Sequence, residues 1–278
     1  NYANAFLPSA FQGTAIGRSG QKAIEAGIRN VRNPHRSPAE QQRFFELVRA
    51  LNQQQLQARP GDLELEAVAD SFELAWRLQN HAPDALNLSK ESAATLALYG
   101  IGEEPTDDYG RQCLMARRLA EAGVRYIQVN YSDNTNNPGW DQHSNMPKHL
   151  DHAQRVDKPV AGLLTDLKAR GLLEDTIVWW GSEFGRTPYA ERNGTGRDHN
   201  PTGFTVLLAG GGFKPGFAYG ETDDFGHFAI ANKVHMHDLH ATILHQLGLD
   251  HERLTFRHDG RDFRLTDVHG HVIKDILL

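Results

Sequence analysis

Cysteine is almost absent from this 278-residue chain, which contains Cys113 alone. A single cysteine excludes internal disulfides and zinc sites built from pairs of cysteines. Cys113 lies among Leu114, Met115 and Ala116, which favours a buried helical thiol over a reactive nucleophile. The compartment stays open, because exported proteins need not contain disulfides.

An excess of positive charge and long apolar runs are also missing. The net charge of −6 and the pI near 6.2 argue against a nucleic-acid-binding surface, so no nucleic-acid partner is expected. No apolar run approaches the roughly 20 residues of a membrane span, so no membrane span is expected. No signal peptide is visible, but the chain begins without Met, so this says little about a longer parent protein.

Several common catalytic motifs are absent, whereas histidine is abundant. The sequence contains no GxSxG elbow and no P-loop, and no GxGxxG follows a predicted strand. All of the 15 histidines except His35 and His81 lie between His143 and His271. Such clustering favours metal binding, because neutral imidazole is a common ligand for zinc and neighbouring metals.

Helical patterns alternate with short apolar runs along most of the chain. A helix predicted over 106–122 is followed by a strand over 124–131, and further strands are predicted over 176–181 and 204–209. This order is typical of an α/β fold, for which we predict a mostly parallel central sheet. Polar side chains at the ends of such strands commonly form the ligand site.

The sequence shows no low-complexity linker, so we expect a single domain over 1–278. Ser37 to Glu40 matches a capping box with Pro38 at the first helical position. Two helical patterns follow and predict a peripheral helical hairpin over 37–80. This hairpin is interpreted as a lid or as plain scaffold.

Carboxylates and imidazoles follow three of the predicted strands, in a mixture that suits Zn, Mn or Fe and suits Ca or Mg less well. The candidates are Asp141 and His143; Glu183, Asp198 and His199; and His235, His237 and His240. One or two divalent ions would suit the hydrolysis of phosphate or sulfate esters. Arg186 is a candidate for oxyanion binding through its planar guanidinium.

Each candidate residue also has a structural alternative. Asp141 suits a helix cap, and Glu183 suits an ion pair with Arg186 or Arg197. His199 suits a hydrogen bond that fixes its loop.

Longer motifs resemble a known family. They are FLPSAFQGT at 6–14, GWDQH at 139–143, GSEFGRTP at 181–188, GRDHNP at 196–201, KVHMHDLHATILHQLGLDHERL at 233–254 and GRDFRLTDVHG at 260–270. These segments resemble DUF1501, a family of bacterial proteins similar to the alkaline phosphatase and sulfatase superfamily. The resemblance covers essentially the whole chain.

This resemblance implies an alkaline phosphatase-like α/β/α sandwich with a metal site on loops after sheet strands. It implies that Asp141, His143 and Glu183 bind metal (Zn, Mn, Fe or Ca), with His199 or His237 as the last ligand. At the position of Phe184 the superfamily has a metal-binding histidine. One of the superfamily's two metal positions would therefore lack an imidazole ligand in this chain. The superfamily nucleophile has no match in residues 1–36, so we expect it outside this chain.

The sequence therefore predicts a metal-dependent hydrolase acting on a small-molecule or saccharide ester of sulfate or phosphate. The family resemblance implies a periplasmic or exported location. The alternative is a non-catalytic binding module on the same fold, within an exported assembly. The sequence does not indicate the oligomeric state.

Overall fold

The computed structural model describes residues 7, 12–18, 20–28, 33–131 and 138–278. Over these ranges the regular structure is mainly helical, and each sheet has two short strands. The helices are α1 (Pro38–Ala58), α2 (Leu63–Leu86), α3 (Ala93–Leu98), α4 (Asp107–Glu121), α5 (His149–Ala169) and α6 (Met236–Gln246). The strands are β1 (Val178–Trp180), β2 (Gly185–Arg186), β3 (His199–Asn200), β4 (Leu207–Ala209), β5 (Glu221–Thr222), β6 (Ala229–Ala231), β7 (Thr255–His258) and β8 (Arg261–Arg264).

The chain forms two compact units. One comprises Asn1–Ser92 with Leu114–Gln128, and the other comprises Ala93–Cys113 with Val129–Leu278. Compactness alone does not make each unit an independent domain, so the single domain over 1–278 stays a prediction.

The first unit contains α1 and α2. The predicted capping box at the start of α1 is confirmed: Ser37 Oγ accepts a hydrogen bond from Glu40 N, and Glu40 Oε2 accepts one from Ser37 N. These two bonds satisfy backbone donors that the first helical turn leaves unpaired. Phe45 of α1 stacks on Trp76 of α2 with ring centroids 4.8 Å apart, which fixes how the two helices pack.

A buried ion-pair network also lies in the first unit. Glu91 forms ion pairs with Arg117, at 2.8 Å, and with Arg118. The Glu91 and Arg117 side chains are only 7% and 1% exposed, so solvent screens their pairing weakly. Arg118 also donates to Ala85 O at the end of α2.

In the second unit α5 packs closely on α3. A Cβ on Gly162 would lie 2.6 Å from Leu98 O, so only glycine allows this approach. Beside it, the buried Tyr99 hydroxyl donates to Asp166 Oδ2 at 3.0 Å. These contacts fix α5, and the loop that leads into its N-terminus carries Asp141 and His143.

The predicted fold class, an α/β/α sandwich with a mostly parallel central sheet, is wrong. In the part of the chain that the structure describes, every sheet is a two-stranded antiparallel pair: β1–β4, β2–β3, β5–β6 and β7–β8. Trp179 and Trp180 of β1 are 37% and 43% exposed, because this strand pairs only with three residues of β4. An apolar run reports hydrophobicity, but it does not specify the number or direction of its partner strands.

The strand predicted over 124–131 is also wrong. None of these residues lies in a strand. Val124 and Tyr126 are 43% and 82% exposed, so these two side chains face solvent. None of the described helices is both long enough and apolar enough to cross a membrane.

Candidate metal centre

The candidate centre forms where the β2–β3 hairpin meets the loop before α5. Arg186 and His199 are directly opposite each other in the β2–β3 ladder, so their side chains are neighbours. Asp141 and His143 come from the other loop, two residues apart. The four side chains singled out from three separate motifs therefore meet at one place.

Three potential ligand atoms lie at the corners of a small triangle. His199 Nε2 lies 2.9 Å from Asp141 Oδ1, His143 Nε2 lies 3.2 Å from the same oxygen, and the two Nε2 atoms are 3.0 Å apart. The Asp141, His143 and His199 side chains are 39%, 41% and 39% exposed. The triangle is therefore accessible to a small ion and to a ligand.

Asp141 is held as a carboxylate by its neighbours. Its Oδ1 accepts a hydrogen bond from Arg186 Nη2, the largest influence, and interacts with His199 Nε2. These bonds outweigh the effect of partial burial and lower the pKa of Asp141 to about 2. Arg186 is fixed in turn, because its Nη1 donates to Arg197 O at 3.0 Å.

His143 is supported by Glu191, which the sequence did not reveal. His143 Nδ1 lies 2.5 Å from Glu191 Oε1, in the turn between β2 and β3. Asp198 approaches the same pair, so His143, Glu191 and Asp198 form a second group of potential ligands. Glu191 lies in the same predicted loop as Glu183, Asp198 and His199, but it has no periodic relation to His143, so no sequence signal indicated this contact.

Hydrogen bonds to backbone oxygens join the two loops that carry the ligands. Asn193 Nδ2 donates to His143 O at 2.8 Å, and Met146 N donates to Thr195 O at 2.9 Å. A Cβ on Gly196 would lie 1.9 Å from His143 O, so glycine is required for this close approach.

An open cavity of about 530 Å³ lies between the same two loops. Its lining residues include the sequence neighbours of His143 in one loop and of Glu191 and Asp198 in the other. The lining residues are Ser144, Asn145, Met146, Pro147, Ala190, Gly194, Thr195, Gly196 and Arg197. Because the cavity is open to solvent, it is a surface depression beside the ligand loops and not an enclosed pocket.

Phe184 contacts the triangle from the side. Its ring stacks on the His199 imidazole with centroids 4.0 Å apart and an interplanar angle of 30°. Phe184 therefore restricts how the His199 ring can turn.

Glu183 and His237 lie outside this cluster. Glu183 is exposed in the turn between β1 and β2, and neither residue belongs to a ligand group found among the described residues. His237 lies in the first turn of α6, with its ring 4.8 Å from His235 and 5.3 Å from His269. The structure thus brings together Asp141, His143, His199 and Arg186 but not these two candidates.

The donor set, two imidazoles and one carboxylate, defines a candidate site for a divalent transition metal. Comparison with family models then places the chain: residues 1–277 match the model described as "Protein of unknown function (DUF1501)", so the chain belongs to this family. A search of curated proteins and a search of solved structures each returned no match.

Proposed function

We propose that this protein binds a divalent metal through Asp141, His143 and His199 and hydrolyses sulfate or phosphate esters. The observation that carries the proposal is the triangle of ligand atoms with sides of 2.9, 3.0 and 3.2 Å. The resemblance to the alkaline phosphatase and sulfatase superfamily supports the reaction class. The proposal does not depend on that superfamily's fold.

The size of the triangle fits a metal ion. Ligands about 2.1 Å from one ion are roughly 3.0 Å apart when they subtend about 90° at the metal, and roughly 3.4 Å apart in a tetrahedron. The observed sides are closer to the first value. Two histidines and one carboxylate on one face of an ion, with other positions open, suit Fe or Mn as well as Zn, and suit Ca less.

The protein's own groups would bind and orient the ester. Arg186 places a fixed positive charge beside the triangle, and its planar guanidinium suits a sulfate or phosphate oxyanion. The cavity beside His143 has room for the organic part of the ester. A bound divalent ion would supply Lewis acidity towards an ester oxygen, and water would be the nucleophile, because the superfamily's protein nucleophile is not expected within this chain.

The cavity also bears on the substrate class. Its lining combines the hydroxyls of Ser144 and Thr195, the amide of Asn145 and the apolar side chains of Met146 and Pro147. The lining also includes Arg197, and together these groups would suit an organic group that carries hydroxyls, such as a saccharide. We therefore propose a small-molecule or saccharide ester as the substrate. We also propose that the reaction takes place outside the cytoplasm.

Elemental mass spectrometry and an ester assay test the proposal together. The purified protein should contain near-stoichiometric metal after incubation with Zn²⁺ or Mn²⁺ and should hydrolyse p-nitrophenyl sulfate or p-nitrophenyl phosphate. His199→Ala and Asp141→Asn should lose both properties, and Glu221→Gln, an exposed carboxylate of β5, should keep both. Glu183→Ala should still bind metal. If this variant loses its metal, Asp141, His143 and His199 are not the complete set of ligands.

One observation favours a second candidate function, a non-catalytic binding module. Arg186 already neutralises Asp141, the only carboxylate of the triangle, so the site is electrostatically satisfied by protein groups. Stoichiometric metal without ester turnover, together with saturable glycan binding, would support this second candidate. Absence of bound metal in the wild-type protein would refute the hydrolase proposal.

A further inference from the structure

The hydrogen bond between His143 and Glu191 assigns a role to a residue outside the triangle. We propose that Glu191 is a positioning residue that holds His143 in the tautomer needed for metal binding. This inference rests on the proposed metal site, and its test separates the two. Glu191 would act through His143 and would not touch the metal.

The first step concerns the proton on the His143 ring. Glu191 Oε1 lies 2.5 Å from Nδ1, and an ionised carboxylate can only accept a hydrogen bond. Nδ1 must therefore carry the hydrogen. In the neutral ring the lone pair is then on Nε2, the atom that faces Asp141 and His199.

The second step excludes Glu191 as a ligand in its observed position. Two atoms bound to one ion at about 2.1 Å are roughly 3.0–3.4 Å apart. The Nδ1 to Oε1 distance of 2.5 Å is shorter than this range, so the two atoms are hydrogen-bonded to each other and are not two ligands of one ion. The sides of the Asp141, His143 and His199 triangle, in contrast, fall near this range.

The third step concerns rigidity, because a positioning residue must itself be fixed. Glu191 N donates to Gly196 O at 2.8 Å, and Gly194 N donates to Glu191 O at 2.8 Å. Asn193, in the same turn, donates to His143 O at 2.8 Å. A single turn therefore fixes both the ring and the backbone of His143, as supporting residues around metal ligands commonly do.

The first measurement is metal affinity. Calorimetric titration with Zn²⁺ should give a Kd about 10–100-fold weaker for Glu191→Ala than for wild type, which is the usual effect of losing such a partner. Glu191→Gln should fall between them, since its amide oxygen still accepts a hydrogen bond from Nδ1. Glu221→Gln should bind within about threefold of wild type.

The second measurement needs neither metal nor activity. Nitrogen-15 NMR of the metal-free protein at pH 9, where an ordinary imidazole is neutral, reports which ring nitrogen carries the proton. His143, assigned from a His143→Ala variant, should be protonated on Nδ1 in wild type and in Glu221→Gln. It should shift towards Nε2 protonation in Glu191→Ala.

The outcomes separate the two proposals. If wild type binds metal but Glu191→Ala keeps both its Kd and its tautomer, the positioning role is wrong and the metal site stands. If Asp198→Asn and Glu191→Ala both abolish binding while Asp141→Asn does not, Glu191 is a ligand of a different site. If wild type binds no metal, both the metal site and the positioning role are wrong.

Discussion

Replacing Gly196 with alanine tests whether contact between the two ligand loops maintains the metal centre. The new Cβ would lie 1.9 Å from His143 O, 2.0 Å from His143 C and 2.5 Å from Ser144 N. These are backbone atoms, so no side-chain rotation can relieve the overlap. Since carbon contacts are normally about 3.5 Å, the loops must separate by roughly 1.5 Å.

A separation of this size exceeds the roughly 0.5 Å tolerance of a binding constellation. We therefore expect Gly196→Ala to weaken Zn²⁺ binding at least tenfold, or by about 1.4 kcal/mol or more. The free energy of unfolding should fall by about 1–3 kcal/mol, as is typical of overpacking. Calorimetric titration and urea unfolding of the metal-free protein measure the two effects.

Gly194→Ala is the matched control, because it lies in the same loop but meets no atom within 4 Å. Its positive φ of 71° should cost about 1–2 kcal/mol of stability through backbone strain. Metal affinity should nevertheless stay close to wild type. Equal Zn²⁺ affinity in Gly196→Ala and Gly194→Ala would refute the reasoning, because it would show that the loop contact does not position His143.

Three further predictions concern other groups. Burial raises the pKa of the Cys113 thiol to about 12, so a thiol reagent at pH 8 should label it only after denaturation, and rapid labelling of the folded protein would contradict its buried position. Burial raises the pKa of Glu91, but hydrogen bonds from two arginines outweigh that effect and hold the pKa below its usual range. The pairing of Glu91 with the arginines therefore stabilises the fold above about pH 4.3. This stabilisation is lost as the pH falls through the lower pKa of Glu91 in the folded protein. Urea unfolding should show Glu91→Gln destabilised by about 3 kcal/mol at pH 7, with a smaller difference at pH 3, and an equal difference at both pH values would contradict this pairing. Arg186→Gln removes a cation that competes for Asp141 Oδ1, so titration should show tighter Zn²⁺ binding but slower ester hydrolysis, and weaker Zn²⁺ binding would contradict the competition.

Local sequence signals predicted the helices well, because capping and periodicity involve neighbouring residues. The helix predicted over 106–122 is α4, Asp107–Glu121. The start of α6, Met236–Gln246, is less clear from local signals. His235 is the N-cap, and Asp238 Oδ2 accepts a hydrogen bond from His235 N. Both residues suit the start of a helix, so only the backbone conformation distinguishes them.

The sheet could not be predicted in the same way. The apolar runs at 176–181 and 204–209 do contain β1 and β4. Their antiparallel pairing depends on the path of the chain between them, which includes the β2–β3 hairpin. Hydrophobicity within either run carries no information about that path.

The candidate site was predictable only in part. Asp141, His143 and His199 were selected because they follow predicted strands, although the strand predicted before Asp141 is not formed. Glu191 was missed because its contact with His143 spans 48 positions of sequence. Arg186 was assigned to a substrate oxyanion, and its hydrogen bond to Asp141 appears only when the two loops are brought together.

The β2–β3 hairpin has a consequence for proteolysis. Its ladder contains only two residue pairs, too few to be stable by itself, so the hairpin depends on its contacts with the loop before α5. Arg192 is exposed within the turn, where trypsin could cut the chain. An ion that joins His199 to Asp141 and His143 would hold the turn closed. The rate of tryptic cleavage at Arg192 would then fall as the metal concentration rises, so proteolysis would report occupancy of the site without any substrate.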